Sequence, residues 1–390
     1  MKKRIVFVTT ALWVGGIESA LVNLLKQFDY ERFDVTLLVL KAELNLLPQV
    51  DPRCRVLIAD RDKTVTFPAA YRHARLYHLI EAPSLPSLRH RLFGWTVPIL
   101  RWLENRFYIR YIRQCMQGER FDTAVIYSDA AGEIAVKALR AEKSILFYHH
   151  GVMRHAYHDR AAWRRCAQIV AVSEHQAEQL RVFMPRYAKR ITAIHNLADV
   201  DGVLQRAEGG PQPEFEPDCF HIVTVGRVSP EKGMDMAVSA CGILARAGVT
   251  RLRWWIVGGG PALLDLRKQI RESGLEDIVK TVGMADNPYP YICAADLYVQ
   301  PSRFEGYPMT ILEALILEKP VVSTDNPGAR EILLHREAGV LCPISAEALA
   351  EQIQNLLDHP DALEALRRGV RAVDLRTENQ RALERLYAIL

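Results

Sequence analysis

The sequence is short of paired cysteines, of long apolar runs and of any strong charge excess, and each shortage removes a class of protein. Its seven cysteines (Cys54, Cys115, Cys166, Cys219, Cys241, Cys293, Cys342) stand singly. No two have the spacing of a zinc knuckle or a redox dithiol, and an odd number argues against a disulfide framework. A reducing compartment, the cytoplasm, is expected, and no metal site. No uninterrupted apolar stretch reaches transmembrane length. The N-terminus is basic, but Ile5 to Thr10 is too short for a signal-peptide core and runs into Gly15 and Gly16 without a cleavage-like site. A formal charge of +4 over 390 residues is small. With no recognition motif beside it, a nucleic-acid partner is not expected.

What remains is a folded globular chain, 49% hydrophobic and 25% charged, longer than one hydrophobic core usually serves. Apolar runs at Lys3–Thr10 and Phe33–Leu40 predict buried strands, with a helix from about Ile17 to Phe28 between them. Strand-like runs return at 124–127, 144–148, 168–172 and 191–194. After a stretch rich in glycine, proline and charge, the pattern restarts with strands at 221–225, 252–257, 279–282, 297–300 and 321–323. Apolar strands alternating with helices mark parallel α/β sheets covered on both faces. The expected fold class is therefore α/β, with two Rossmann-like domains facing a cleft. The expected boundaries are 1–205 for the first domain, 206–220 for a linker, 221–370 for the second and 371–390 for a closing helix.

Ligands of open α/β sheets bind beyond the carboxyl ends of the strands, so the loops there hold the candidates. Gly15 and Gly16 follow the first strand. They form either a tight turn or a close backbone approach to an anion at the helix N-terminus. They fit neither the GxGxxG fingerprint nor a P-loop, which needs a lysine. The loop Gly226–Gly233 carries Arg227 and Lys232, cations suited to grip a diphosphate from two sides or, equally, to face solvent. Gly258–Pro261 is a third permissive turn. The segment Pro301–Ala314 is the most informative. Glu305 and Gly306 lie in its loop, Pro308 is placed to open a helix, and Glu313 falls in that helix's second turn. A carboxylate there can accept the two ribose hydroxyls of a nucleoside or sit as a buried structural glutamate, which without a partner is costly. His149 and His150 end the 144–148 strand, as sugar-hydroxyl donors or as ordinary packed histidines.

Taken together, these motifs resemble the retaining nucleotide-sugar glycosyltransferases of the glycogen-synthase-like superfamily, family 4, with the GT-B architecture. The resemblance covers most of the chain and is most specific from Gly226 to Gly339. It rests on Gly226-Arg227, Glu231-Lys232-Gly233, Asn287-Pro288-Tyr289-Pro290-Tyr291, Ala295-Asp296-Leu297 and the Glu305/Glu313 pair with seven residues between them. Gly15-Gly16-Ile17-Glu18 looks like the family's opening glycine loop. The resemblance implies that Arg227 and Lys232 hold the donor diphosphate without a divalent metal, and that Glu313 binds the ribose. It implies that Glu305 contacts the transferred sugar, with Gly306 and the following amides near its hydroxyls or phosphate. Gly15 and Gly16 belong to the donor site on this reading, Gly16 approaching the diphosphate. His150 matches the family's histidine beside the reacting sugar, with its neighbour His149 as the alternative. Asp325 and Glu331 match recurrent positions without a definite role. The final helix is expected to cross back to the first domain.

The implied donor is a UDP- or GDP-linked sugar, with no further cofactor. The implied acceptor is a glycan or a lipid-linked glycan of cell-surface polysaccharide synthesis. From 61 to 113 the chain holds ten lysines and arginines interleaved with aromatic and aliphatic residues. That composition suits either an anionic membrane surface, giving a peripheral location on its inner face, or an amphipathic helix pair with an arginine-rich solvent side. Two other functions stay open, a nucleotide-sugar epimerase and a non-catalytic nucleotide-sugar-binding protein.

Overall fold

A computed structural model describes residues 2–60, 96–149, 160–209, 213–334 and 336–390. By compactness the chain divides into two units, Met1–Tyr148 with Arg154–Val170, and His149–Met153 with Ala171–Leu390. The first unit begins with β1 (Lys3–Thr9), α1 (Gly16–Lys26), β2 (Phe33–Val39) and β3 (Arg55–Ile58). It continues with α2 (Thr96–Cys115), β4 (Arg120–Ile126), α3 (Gly132–Ala138), β5 (Arg140–Tyr148), α4 (Arg160–Arg165) and β6 (Gln168–Ala171). Ile5, Val6, Phe7 and Val8 are all fully buried, as a parallel strand covered on both faces requires. β1 pairs in parallel with β2 on one side and β4 on the other.

Of the basic first-unit stretch, residues 61–95 lie outside the described residues. The described part of α2 packs on its own unit. Ile112 is fully buried, and the Tyr108 hydroxyl donates to the carbonyls of Leu40 and Ala59, both at 2.7 Å. Phe107 is exposed. No described helix is long and apolar enough to cross a membrane.

The second unit opens with α5 (Glu174–Phe183), β7 (Ile191–Ala193), α6 (Val200–Glu208), β8 (Phe220–Val225), α7 (Met234–Arg246) and β9 (Leu252–Val257). Next come α8 (Leu263–Glu272), β10 (Val279–Gly283), α9 (Tyr289–Ala294), β11 (Leu297–Gln300), α10 (Met309–Ile316) and β12 (Val321–Thr324). It closes with α11 (Pro327–Leu333), β13 (Gly339–Cys342), α12 (Ala346–Asp358), α13 (Pro360–Arg371) and α14 (Leu375–Ile389). The strand orders are β3-β2-β1-β4-β5-β6-β7 and β10-β9-β8-β11-β12-β13. In the second sheet the chain builds outward from β8 through β9 to β10, then crosses back to lay β11 on the other side of β8. The carboxyl ends of β8 and β11 are thus the switch point, where loops diverge and leave room for a ligand.

Two boundaries differ in detail from the sequence expectation. Arg206, placed at the start of the linker, lies in the last turn of α6, because Val203 and Ala207 bury one face of that helix. The segment that follows is tied to the second sheet: Phe215 stacks on His221 and Trp255, and Glu216 takes both arms of Arg253 at 2.8 and 2.6 Å. The closing helix starts at Leu375, where Asp374 caps it through the Thr377 amide. It bonds to Ala198 through Asn379 and to Asp201 through Arg376.

Candidate functional site

Two loops meet at the switch point. The loop after β8 makes a tight turn over Pro230–Lys232 and ends on Gly233, whose φ of +67° is left-handed. A Cβ at Gly233 would lie 1.9 Å from the carbonyl oxygen of Pro301, so only glycine fits. Gly258 is held to glycine for a similar reason: its Cβ would meet the Gly226 carbonyl oxygen at 1.8 Å. Arg303 closes the arrangement from the second loop. Its amide donates to the Glu231 carbonyl at 2.8 Å, and its guanidinium takes both carboxylate oxygens of Asp235 at 2.8 and 2.7 Å. That bidentate pair holds the Asp235 carboxyl below the usual range.

Between these loops Lys232 bonds both oxygens of Glu305, at 2.7 and 2.9 Å. The carboxylate is only 9% exposed, so its charge needs this partner. Its Oε1 also accepts from Gln300 Nε2 at 2.9 Å and Ser302 Oγ at 2.7 Å. Arg227 is largely exposed and pairs with Glu231 at 2.8 Å. It stands on the same loop as Lys232 but is held less firmly.

Glu313 is treated differently by its surroundings. It sits in the second turn of α10, half-buried, and among the described residues its carboxylate accepts one hydrogen bond, from the Tyr289 hydroxyl at 3.3 Å. Burial pushes its carboxyl up to about 7, against the opposing pull of that hydroxyl and of the Arg206 charge. Arg206 lies over the Tyr289 ring at 4.7 Å, and its guanidinium donates to the Asp286 carbonyl at 2.7 Å. A carboxylate can accept about four hydrogen bonds, so most of Glu313's capacity is unspent.

The Glu305-Gly306 backbone is packed from beneath. Gly328 in the first turn of α11 approaches so closely that a Cβ there would meet the carbonyls of Glu305 and Gly306 at 2.9 Å. Asn326 caps that helix through the Ala329 amide. Tyr307, the next residue of the loop, stacks on His195 with centroids 4.8 Å apart and planes 12° from parallel. His195 bonds Glu331 at 2.6 Å, and Glu331 also accepts from the Glu174 and His175 amides at the start of α5. Burial works to raise the Glu331 carboxyl, but these three donors outweigh it and the net shift is downward. Glu331 thus braces the loop from behind.

In the first unit, Gly15 precedes α1 and Gly16 begins it. A Cβ at Gly15 would meet Glu18 Oε2 at 2.6 Å and Trp13 Nε1 at 3.1 Å, whereas one at Gly16 would meet nothing within 4 Å among the described residues. Glu18 is buried and folds back on its own amide and the Trp13 indole; burial raises its carboxyl despite both donors. The helix start that an anion would use therefore already faces a carboxyl. His150 lies outside the described residues; its neighbour His149 is partly buried at the end of β5. No group of three or more His, Cys, Asp or Glu stands together as metal ligands among the described residues.

The structure thus brings Lys232, Glu305, Gly306, Glu313 and Arg227 to one end of the second sheet. The sequence reading did not single out Gln300, Arg206, His195 or Gly328. The first two stand at element ends, where a strand pattern and a turn signal hid them. The other two matter only through contacts distant in sequence.

Comparisons with known proteins fit this geometry. Residues 219–359 match the family described as "Glycosyl transferases group 1". The alpha-D-kanosaminyltransferase of Streptomyces kanamyceticus is 28% identical over 53% of this chain and 55% of its own. The amylovoran biosynthesis glycosyltransferase AmsK of Erwinia amylovora is 34% identical over 34% of this chain and 36% of its own. The chain spans about half or less of the length of the curated relatives it matches. Among solved structures, Anabaena HepE in complex with UDP-glucose superposes with a TM-score of 0.69 at 19% identity, covering 99% of both chains. A glycosyltransferase from Rickettsia africae gives 0.71 at 16% identity, covering 100% of this chain and 97% of that one. At such identities the likeness shows the fold: two parallel Rossmann-like sheets flanked by helices, the GT-B architecture.

Proposed function

We propose that the protein is a glycosyltransferase that moves a sugar from a nucleoside-diphosphate donor, UDP- or GDP-linked, to a glycan or lipid-linked acceptor. The observation that carries this reading is the contrast of two carboxylates at one strand-order switch. Glu305 is closed around Lys232, while Glu313, one helix turn or more away, keeps its accepting capacity for a ribose diol. Similarity to glycosyltransferases over the same residues supports it.

On this reading 221–370 is the nucleotide-sugar domain, 1–205 the acceptor domain, 206–220 the linker and 371–390 the returning helix. The donor diphosphate replaces part of Glu305's hold on Lys232, with Arg227 swinging from Glu231 to grip it from the other side. These cations stabilise the charge that builds on the leaving diphosphate, which is the largest electrostatic demand of the reaction. Glu305 and the amides after Gly306 orient the sugar, and Gly15 and Gly16 admit the diphosphate or acceptor closely. His150, with His149 as the alternative, donates beside the reacting carbon. The transfer retains configuration: the anomeric carbon–phosphate oxygen bond breaks, the acceptor oxygen bonds the same face, and its proton passes to the leaving phosphate. The work is cytoplasmic, with the basic 61–113 stretch against an anionic membrane.

A panel of nucleotide sugars read by nucleoside-diphosphate release tests the reading, first with soluble and then with lipid-linked acceptors. A glycoside plus free nucleoside diphosphate supports it. An epimerised nucleotide sugar makes the protein an epimerase, and binding without release makes it a nucleotide-sugar-binding protein.

A further inference from the structure

The buried chain of polar groups behind Glu305 has no role in the reading so far. Gln300 ends β11 and is 2% exposed; Tyr298 and Ser302 beside it are fully buried. The Gln300 Oε1 accepts from the Tyr298 hydroxyl at 2.7 Å and the Thr310 hydroxyl at 3.0 Å. Its Nε2 donates to Ser302 Oγ at 2.7 Å and Glu305 Oε1 at 2.9 Å. Ser302 Oγ donates in turn to Glu305 Oε1 at 2.7 Å. An ionised carboxylate only accepts, so the amide nitrogen must face it and the oxygen must face the two hydroxyls. The polarity of the whole chain is therefore fixed in one sense, from hydroxyl donors through the amide to the carboxylate.

Its effect is unequal. Among the described residues Glu305 Oε1 takes donors from Lys232, Gln300 and Ser302, while Oε2 takes only Lys232 at 2.9 Å. An interior amide and two hydroxyls are costly to bury unless every group is partnered. An aliphatic side chain would fill the same space without that demand. The network makes sense as a clamp on one oxygen of the carboxylate.

We infer that Gln300 is a positioning residue: through Ser302 and Oε1 it sets the orientation of Glu305, leaving Oε2 and Lys232 to meet the donor sugar and its phosphates. This rests on the transferase reading above and adds to it the group that aims the carboxylate. It acts through Glu305 and touches no substrate itself.

Two substitutions of the full chain test it. Gln300→Leu removes the clamp and lowers kcat/KM for the donor by about 10- to 100-fold, the cost of stranding buried polar partners. Gln300→Glu places a second carboxylate against Glu305 and loses the amide donor, so activity at pH 8 falls at least as far. Toward pH 5.5 the introduced carboxyl takes a proton and regains an O–H donor, and its activity relative to wild type at the same pH rises by about tenfold or more. The leucine variant shows no such recovery. Equal losses in both variants with no acid recovery mean a packing role only and overturn the inference, as do wild-type kinetics in both. Where Gln300→Leu does not fold, Thr310→Val removes one donor to the amide. A three- to tenfold fall in kcat/KM then supports the clamp, and an unchanged value overturns it. Wild-type turnover tests the transferase reading, whereas variant-to-wild-type ratios test Gln300. For a chain that binds nucleoside diphosphate without turning over, the same ratios are read in its affinity.

Discussion

The loop after β1 and the loop after β8 start alike, a strand end running into glycine, yet they are finished in opposite ways. After β8 the chain collects cations and gives them carboxylates to lean on: Lys232 on Glu305, Arg227 on Glu231. After β1 the helix start faces the buried carboxyl of Glu18. The glycines differ in the same manner. Gly233 is fixed by a left-handed φ and by the Pro301 carbonyl, while Gly16 has no described residue where a side chain would go. The same strand–glycine–helix grammar therefore carries two paired cations in one unit and a helix start facing a buried carboxyl in the other. What decides is the residue two to three places into the helix or on a neighbouring loop, more than the glycine itself.

The largest effect expected from breaking this contrast is at Lys232. Lys232→Ala removes the cation that the proposed function assigns to the diphosphate and leaves Glu305 buried without its charged partner. Breaking a buried pair from one side costs about 3–5 kcal/mol. Turnover should fall by about 100-fold or more, measured as nucleoside-diphosphate release, together with a lowered melting temperature. Next comes Gly233→Ala, which forces a Cβ into the Pro301 carbonyl. It should destabilise the fold by about 2–4 kcal/mol in urea unfolding. Gly16→Ala, made for comparison, should change stability by no more than about 0.5 kcal/mol. If Gly16 admits a ligand, it loses activity without losing stability.

The Glu313 carboxyl gives a pH signature. Its folded value lies near 7, so the ionised form, which the proposed function needs to accept a ribose diol, prevails above that and is lost below it. Donor KM in the wild type should therefore rise as pH falls from about 8 to 6. Glu313→Gln should raise KM about tenfold at pH 8 and remove this limb. A further small effect belongs to the first unit. Burial raises the Glu18 carboxyl, so the folded state holds its proton more readily than the unfolded one. Its contribution is largest at low pH and declines as pH rises above the ordinary carboxylate range. Glu18→Gln, which ends that decline, should match or exceed wild-type stability at pH 8 by up to about 1 kcal/mol. Thermal melts at pH 5 and pH 8 check the sign.

Much of this was legible in the sequence because it is written locally. The runs at Lys3–Thr9, Phe33–Val39 and Leu252–Val257 contain stretches of successive apolar residues (Ile5–Val8, Leu37–Val39, Trp254–Val257) and form the parallel strands they announced. Lys232 and Glu305 stood in strand-to-helix loops, and Glu313 in the helix that follows one, where an α/β sheet places its ligands. The supporting residues were not legible, since each acts across the fold. Gln300 reads as the last residue of a strand until Thr310, ten positions on, is seen to bond it. Arg206 reads as linker until α6 carries it over Tyr289. His195 and Glu331, 136 positions apart, meet only in three dimensions.

The claim at the centre is that the β8 and β11 loops bind a nucleotide sugar through Lys232 and Glu313. Nucleoside-diphosphate release from a panel of nucleotide sugars, run in parallel for wild type, Lys232→Ala and Glu313→Gln, tests it most directly. The account predicts release from at least one donor by the wild type, a fall of about 100-fold in Lys232→Ala and a donor-KM rise of about tenfold in Glu313→Gln. No release from any donor, or release unchanged in both variants, would contradict it.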